Sequence, residues 1–483
     1  MIKPILSAAD AVADIGDGAT VMIGGFGVIQ GWPASLIRAL RARGSRNLTI
    51  ICNTPGVGPT SPQQLAENGQ IGKIIASYLA YPTQPTPIAE GIRSGAIAHE
   101  LVPQGTLIER VRAGGAGLAA FYTPTGVGTA IAAGKELREF GGRRFVLETA
   151  LRADVALIRA AAADRHGNLV YRGAGRNYNP ILATAARVTV AEVDEIVDTG
   201  GLDPEHMVTP GIFVDRLVRT EQPLDRAQVR DLSRRFGKQW DLEVRERAVG
   251  PRGIPPDLMA RKVAVLLRRG EYVNLGLGLP TLVSSHIAPE QAITLHAENG
   301  LVGFGALARE GEEDIDLYNA SGQLVSRLPG ASFADSCTAF AMVRSGRVST
   351  VVLGAFQVSA GGDLANWSVP ATGIGGIGGA MDLAAGRARV LAVMFHLTRD
   401  GQPKLVERCT YPLTAAGCVS TVVTDLAVID VDEQGFLLRE VAPGVRPDEV
   451  RQVTGAPVRI ASDLREMVFE RLSPQRSTED TEA

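Results

Sequence analysis

The residues that most often announce a reactive centre are scarce in this chain. Its four cysteines, Cys52, Cys337, Cys409 and Cys418, are far apart and never form a CxxC pair, which argues against a zinc site or a disulfide framework. Buried thiols in a reducing cytoplasm are expected instead. The six histidines show no HxxxH spacing, so no metal site is expected. No apolar run reaches the length of a membrane-spanning helix, and Met1-Ile2-Lys3-Pro4 leads into an Ala/Asp-rich helix rather than a signal sequence. A net charge of −3 offers no bulk attraction to nucleic acid or an anionic membrane. The absence of GxSxG argues against lipase-like acyl transfer.

What is present is material for large cores. With 483 residues, 45% of them apolar and 21% charged, the chain is long enough for two or more α/β domains. Residues 6–15 read as a short helix. Ala19–Ile23 reads as a strand running into Gly24-Gly25-Phe26-Gly27, followed by a helix over Ser35–Leu40: half of a parallel crossover unit. A dinucleotide GxGxxG fails there because Gln30 occupies the last glycine position. Leu48–Cys52 and Lys73–Tyr78 read as further strands with polar residues at their ends, Asn53 among them. A helix is expected from about Gln104 to Arg112. The glycine- and aromatic-rich stretches 113–117 and 121–126 are assigned to shaped loops. Asp154–Ala160 and Val188–Val193 are buried strands, and His166 sits in the turn between them.

From Arg219 to Arg252 the charged fraction is about twice the 21% of the whole chain. This reads as a linker with at most one exposed helix. After it the pattern restarts, with a helix over Leu258–Arg268 and Gly270–Gly276 echoing Gly18–Gly24. Asp154–Leu169 and Asp425–Leu437 also match, as strand, acidic turn, glycine and strand. The expected organisation is two related α/β domains, 1–219 and 255–470, joined by a linker over 220–254 and followed by a disordered tail over 471–483, with the active site between the domains.

The chemistry is placed on Leu295-His296-Ala297-Glu298-Asn299-Gly300-Leu301-Val302-Gly303, where an acid interrupts a β-prone run at an Asn-Gly turn. Gln291–Leu295 reads as the end of a buried strand, which puts Glu298 at a strand's carboxyl end, where α/β folds put ligand crevices. The glycine cluster 373–379 satisfies GxGxxG formally, but no β-branched strand precedes it. Free amides in such a turn suit an oxyanion instead.

Taken together these motifs resemble the class I CoA-transferases, and most closely the fused succinyl-CoA:3-oxoacid CoA-transferases of ketone body metabolism. The resemblance runs from about Ser7 to Glu466 without the linker. It rests on Asp17–Pro33, Pro103-Gln104-Gly105-Thr106, Arg112–Gly117, Phe121–Gly126, Leu295–Gly303, Pro329–Phe333, Gly362–Trp367 and Gly378–Leu383. Four departures stand out: an extra residue before Gly31, Ala297 where Ser usually precedes the Glu, and two missing lysines. One lysine would stand at Gly375 and the other just after Asn319-Ala320.

The resemblance implies two α/β domains corresponding to fused α and β subunits, assembled as a homodimer. It also implies ping-pong transfer of CoA from an acyl-CoA to a small carboxylic acid. Glu298 would form a glutamyl-CoA thioester, with Gln104 and the Gly379 and Ala380 amides as oxyanion donors. Asn53, Asn274, Gly276, Asn319 and Gly378 are candidate substrate contacts. No cofactor is expected, CoA being a substrate. A thioesterase on the same site and a non-catalytic CoA or sugar-phosphate sensor are the alternative readings.

Overall fold

The computed structural model describes residues 2–27, 31–58, 60–79, 85–221, 225–245, 253–369 and 375–470, with side chains left undescribed over 236–245. The extra residue before Gly31, the start of the glycine cluster at Gly373, and the 471–483 tail lie outside these residues.

Short β-branched runs build a parallel sheet in each half. In the first half the strand order is Ile5–Leu6, Arg216–Arg219, Ala186–Val197, Ala153–Asp164, Thr20–Ile23, Leu48–Ile51, Ile71–Ala76 and Ala98–Leu101, all parallel. Leu169–Val170 adds an antiparallel pair on Ala153–Asp164. Strands covered on both faces read as unbroken apolar runs, as Val21-Met22-Ile23 and Ile50-Ile51-Cys52 do, and all of these residues are buried. Two separate apolar clusters, one around Ile37, Leu40 and Ile74 and one around Ile108, Ile158 and Ala191, account for this.

The second half repeats the scheme in a ten-stranded sheet. Its parallel centre is Thr294–His296, Tyr272–Leu275, Thr350–Gly354, Arg389–Val393 and Val419–Val423. Antiparallel strands flank that centre, with Leu301–Leu307 and Val325–Phe333 on one side and Ala427–Asp432 and Gly435–Val441 on the other. The halves share a core: Tyr318, Leu324, Cys337 and Phe340 of the second pack into the cluster that holds Leu107, Ile108 and Tyr178 of the first.

Three expectations change. Phe121-Tyr122 is not loop but the centre of the strand Ala120–Thr123, which pairs with Arg143–Thr149 in a three-stranded sheet. Cross-strand aromatic packing, with Tyr122 and Phe140 ring centroids 5.2 Å apart, decides this, and the flanking glycines concealed it. Gln291 is not at the end of a strand but in the 3₁₀ turn Pro289–Gln291, so the strand starts three residues later at Thr294. The charged segment holds a 20-residue helix, Arg226–Arg245, that is docked rather than merely solvated. Val229 is buried against Val57 and Tyr78 of the first half and Ile315 of the second. Arg234 Nε donates to Glu313 Oε1 at 2.6 Å, so part of the charge is paired across the contact.

Candidate functional site

Glu298 stands at the tip of the hairpin joining Thr294–His296 to Leu301–Leu307, as the turn signal predicts. The turn is closed by Gly300 N donating to Ala297 O at 3.0 Å and by Ala297 N donating to Leu301 O at 2.8 Å. Asn299 Nδ2 ties the tip to Tyr318 O at 2.7 Å. Gly300 has φ +100°, and a Cβ there would lie 1.9 Å from Ala334 O, so only glycine fits.

The Glu298 carboxyl group is buried, at 5% exposure, and burial pushes its pKa up to about 7. Its own backbone amide and the Asn274 side-chain amide act in the opposite direction but do not cancel this. Oε2 has no hydrogen-bond partner among the described residues. A buried carboxylate with an uncommitted oxygen is a standing cost that structures accept mainly where the group has work to do.

Asn274 is held by its neighbour. Its Nδ2 donates to His296 Nδ1 and to His296 O, both at 3.2 Å, while His296 Nε2 stands 3.1 Å from Ala339 O. A carbonyl only accepts, so the hydrogen is on Nε2 and Nδ1 is the acceptor. Burial lowers the His296 pKa to about 4, which keeps the ring neutral near pH 7.

The first half reaches the same point. Gln104 opens the helix Gln104–Gly115; its N donates to Gly378 O at 2.9 Å, and Gly378 N donates to Ser77 O at 3.0 Å. Gly379 precedes the helix Ala380–Ala384, and the amides that open a helix have no intrahelical acceptor. A Cβ on Gly379 would sit 3.0 Å from Gln104 Oε1 and 3.1 Å from Glu298 Oε1. Gln104, Gly379 and Glu298 thus converge from the two halves. Behind them, Gln104 Nε2 lies 2.7 Å from Asn53 Oδ1, and Asn53 Nδ2 has no partner among the described residues.

The family model for coenzyme A transferase matches residues 5–220 and 257–452. The chain belongs to the coenzyme A transferase family. It is an enzyme of the CoA-transferase type. The human mitochondrial succinyl-CoA:3-ketoacid coenzyme A transferase 2 is 40% identical over 482 residues, spanning 95% of this chain and 90% of that protein. One of the subunits of the 3-oxoadipate CoA-transferase of Pseudomonas putida is 50% identical over 218 residues, covering 45% of this chain and 93% of its own length. The acyl-CoA transferase of Escherichia coli O157:H7, solved as a thioester complex with CoA, superposes with a TM-score of 0.77 at 20% identity, covering 97% and 96% of the two chains, and shares the fold.

Within this CoA-transferase, the residues expected at the site do not all meet. Glu298, Gln104, Gly378, Gly379, Ala380, Asn53 and Asn274 form one neighbourhood. Gly276 continues the ladder beyond Tyr272–Leu275, its N donating to Val352 O at 2.8 Å, with strand Thr350–Gly354 packed against it. The Asn319 side chain is spent within its own turn, accepting from Ser321 N and Gln323 N and donating to Gln323 Oε1, each at 3.0 Å. His166 lies in the Asp164–Asn168 turn, as expected, its N bonded to Asp164 Oδ1 at 2.9 Å. His296 and Asp382 join this neighbourhood without having been expected there. Asp382 had a signal available to be noticed: an acid inside the otherwise apolar Ala380–Ala384 helix.

Proposed function

We propose that this CoA-transferase moves CoA from an acyl-CoA to a carboxylic acid by a ping-pong route through a thioester on Glu298, with the 3-oxoacid and succinate class as its substrates. The observation that carries this is Glu298 itself: buried, with an uncommitted oxygen, within reach of Gly379 and Gln104 from opposite halves of the chain.

The ionised Glu298 attacks the thioester carbonyl, and collapse of the tetrahedral adduct expels CoA thiolate and leaves a mixed anhydride. The thiolate attacks the glutamyl carbonyl, forming glutamyl-CoA and releasing the donor's carboxylate. An incoming carboxylate opens that thioester to a second anhydride, and the thiolate then attacks its acyl carbonyl, giving the new acyl-CoA and free Glu298. CoA enters as substrate and no other cofactor is invoked. Each addition places charge on a carbonyl oxygen, and the Gly379 and Ala380 amides are donors for it.

Gln104 joins them once its carboxamide and that of Asn53 are both turned end for end, since the heavy-atom positions are the same. Asn53 Nδ2, otherwise without a partner, then donates to Gln104 Oε1, and Gln104 Nε2 faces Glu298. Asn53 thereby becomes an orienting group for Gln104, and Asn274 one for Glu298, while Gly276 and Asn319 keep only a proposed role in CoA contact. The substrate class is supported by the 40% identity to the human succinyl-CoA:3-ketoacid enzyme. The missing lysines at Gly375 and after Ala320 put the acid's carboxylate contacts on other residues.

The halves 1–219 and 255–470 are proposed as the two catalytic domains of a homodimer, which light scattering would check by returning twice the chain mass. A reducing cytoplasm suits the four cysteines, all free. No helix among the described residues is long and apolar enough to cross a membrane.

The deciding experiment incubates the enzyme with succinyl-CoA and no acceptor, then maps the adduct by peptide mass spectrometry. CoA is expected on Glu298 and to leave when acetoacetate or 3-oxoadipate is added. CoA on a cysteine, or steady hydrolysis with no adduct transferred, would overturn the reading, the latter in favour of a thioesterase.

A further inference from the structure

The helix that carries Gln104 has no cap of its own. Pro103, at the capping position, makes no side-chain bond, yet the first amides of a helix need acceptors from outside it. The acceptor comes from the other half of the chain. Gly105 N donates to Asp382 Oδ2 at 2.7 Å, and Thr106 Oγ1 donates to Asp382 Oδ1 at 3.1 Å. Thr125 Oγ1, from beyond the end of the helix, also donates to Asp382 Oδ1 at 3.1 Å. Asp382 is fully buried, so three donors and the nearby Arg344 guanidinium stand in for water around it. Arg344 adds a second tie, its Nη2 donating to Glu109 Oε2 on the same helix at 2.9 Å.

Two details show how closely the contact is fitted. A Cβ on Gly105 would lie 2.8 Å from Asp382 Cγ and 2.6 Å from the Phe340 ring, so the residue after Gln104 has no room for a side chain. Asp382 is also the third residue of Ala380–Ala384, where an acid commonly turns back to cap its own helix. Here its side chain is committed to the neighbouring helix. The amides of Gly379 and Ala380 are therefore not consumed by it.

We propose that Asp382 is a positioning residue for the transfer reaction: a helix cap supplied from the second domain that locks Gln104 in register with Gly379 and Glu298. The inference rests on the glutamyl-CoA reading above. It also explains why a buried acid stands two residues after Ala380, since the same short helix carries the Gly379 and Ala380 amides at its start and fixes the helix that carries Gln104, the third donor.

The test measures the rate of glutamyl-CoA formation from succinyl-CoA, the KM for succinyl-CoA and thermal unfolding for Asp382→Asn, Asp382→Ala and Thr125→Val. A cap lost at a site where an ångström matters should slow adduct formation roughly 10²-fold in Asp382→Ala. KM should stay within about threefold, because the substitutions leave the proposed CoA contacts, Gly276 and Asn319, untouched. Thr125→Val removes one of the three donors without touching the helix and should fall between wild type and Asp382→Ala.

The decisive readout is non-additivity: in a Gln104→Ala background, Asp382→Asn should cost little further rate, because the two act as a unit. An undiminished loss on top of Gln104→Ala, or a wild-type rate in folded Asp382→Asn, overturns the proposal. Should Asp382→Ala not fold, Asp382→Asn and Thr125→Val carry the test. If the wild-type enzyme forms no adduct, the glutamyl-CoA reading itself falls. If it does, and Gln104→Ala slows it while the Asp382 variants do not, only the positioning role falls.

Discussion

Replacing Glu298 with glutamine should make the protein inactive and, at alkaline pH, more stable. The unfolded chain releases the Glu298 proton near the ordinary value of 4.5, whereas the folded protein holds it to about 7. Below pH 4.5 both states are protonated, and the carboxyl group contributes its full stability. As the pH rises through 7 that contribution is lost, because the unfolded state ionises first and is favoured. At 1.36 kcal/mol per pKa unit, the loss above pH 7 amounts to about 3 kcal/mol.

Glutamine does not titrate and keeps the neutral-state stability throughout. The Gln variant should therefore pull away from wild type between pH 5 and pH 8.5 by about 2–3 kcal/mol, a little under the full loss because the unfolded chain is already partly ionised at pH 5. His296, with its pKa lowered to about 4, stays neutral across that window and adds nothing to the difference. Urea unfolding of both proteins at pH 5 and pH 8.5 measures it. Any fixed gain or loss from the new amide is the same at both pH values and drops out. A difference between the proteins that does not change with pH would refute the burial argument, since it would mean that Glu298 ionises in the folded protein as it does in the unfolded one.

Other outcomes follow from the same geometry. Because the nucleophile must be ionised, kcat/KM should climb about tenfold per pH unit up to a plateau starting near pH 7; a pH–rate profile with its acidic limb near pH 4.5 would contradict this. Gly300→Ala, with φ +100° and Ala334 O in the way, should destabilise the protein by roughly 2–5 kcal/mol and abolish adduct formation; an unshifted melting temperature with full activity would show that the turn tolerates a side chain.

The sequence by itself was enough for the local parts of this protein. Glu298-Asn299-Gly300 announces a turn with an acid at its tip because Asn-Gly tolerates the required backbone. The strands Thr20–Ile23 and Leu48–Ile51 are legible as apolar runs because a parallel sheet covered on both faces needs them. The restart at Gly270 and the ordered motifs were sufficient for the two-half organisation and for the family.

Tertiary structure decided what depends on distant residues meeting. The strand at Phe121-Tyr122 exists because Phe140 and Glu148 lie beside it, and the partners of a sheet are not written in the strand itself. The Arg226–Arg245 helix reads as solvated linker from its charge, yet Val229 finds an apolar seat formed by both halves. The Glu298 pKa, the meeting of Gln104 with Gly379, and the cap that Asp382 lends to a helix 277 positions away are products of burial and long-range contact. A carboxylate's proton affinity is set by the solvent it loses and the donors it meets, and neither is a property of its neighbours in the chain.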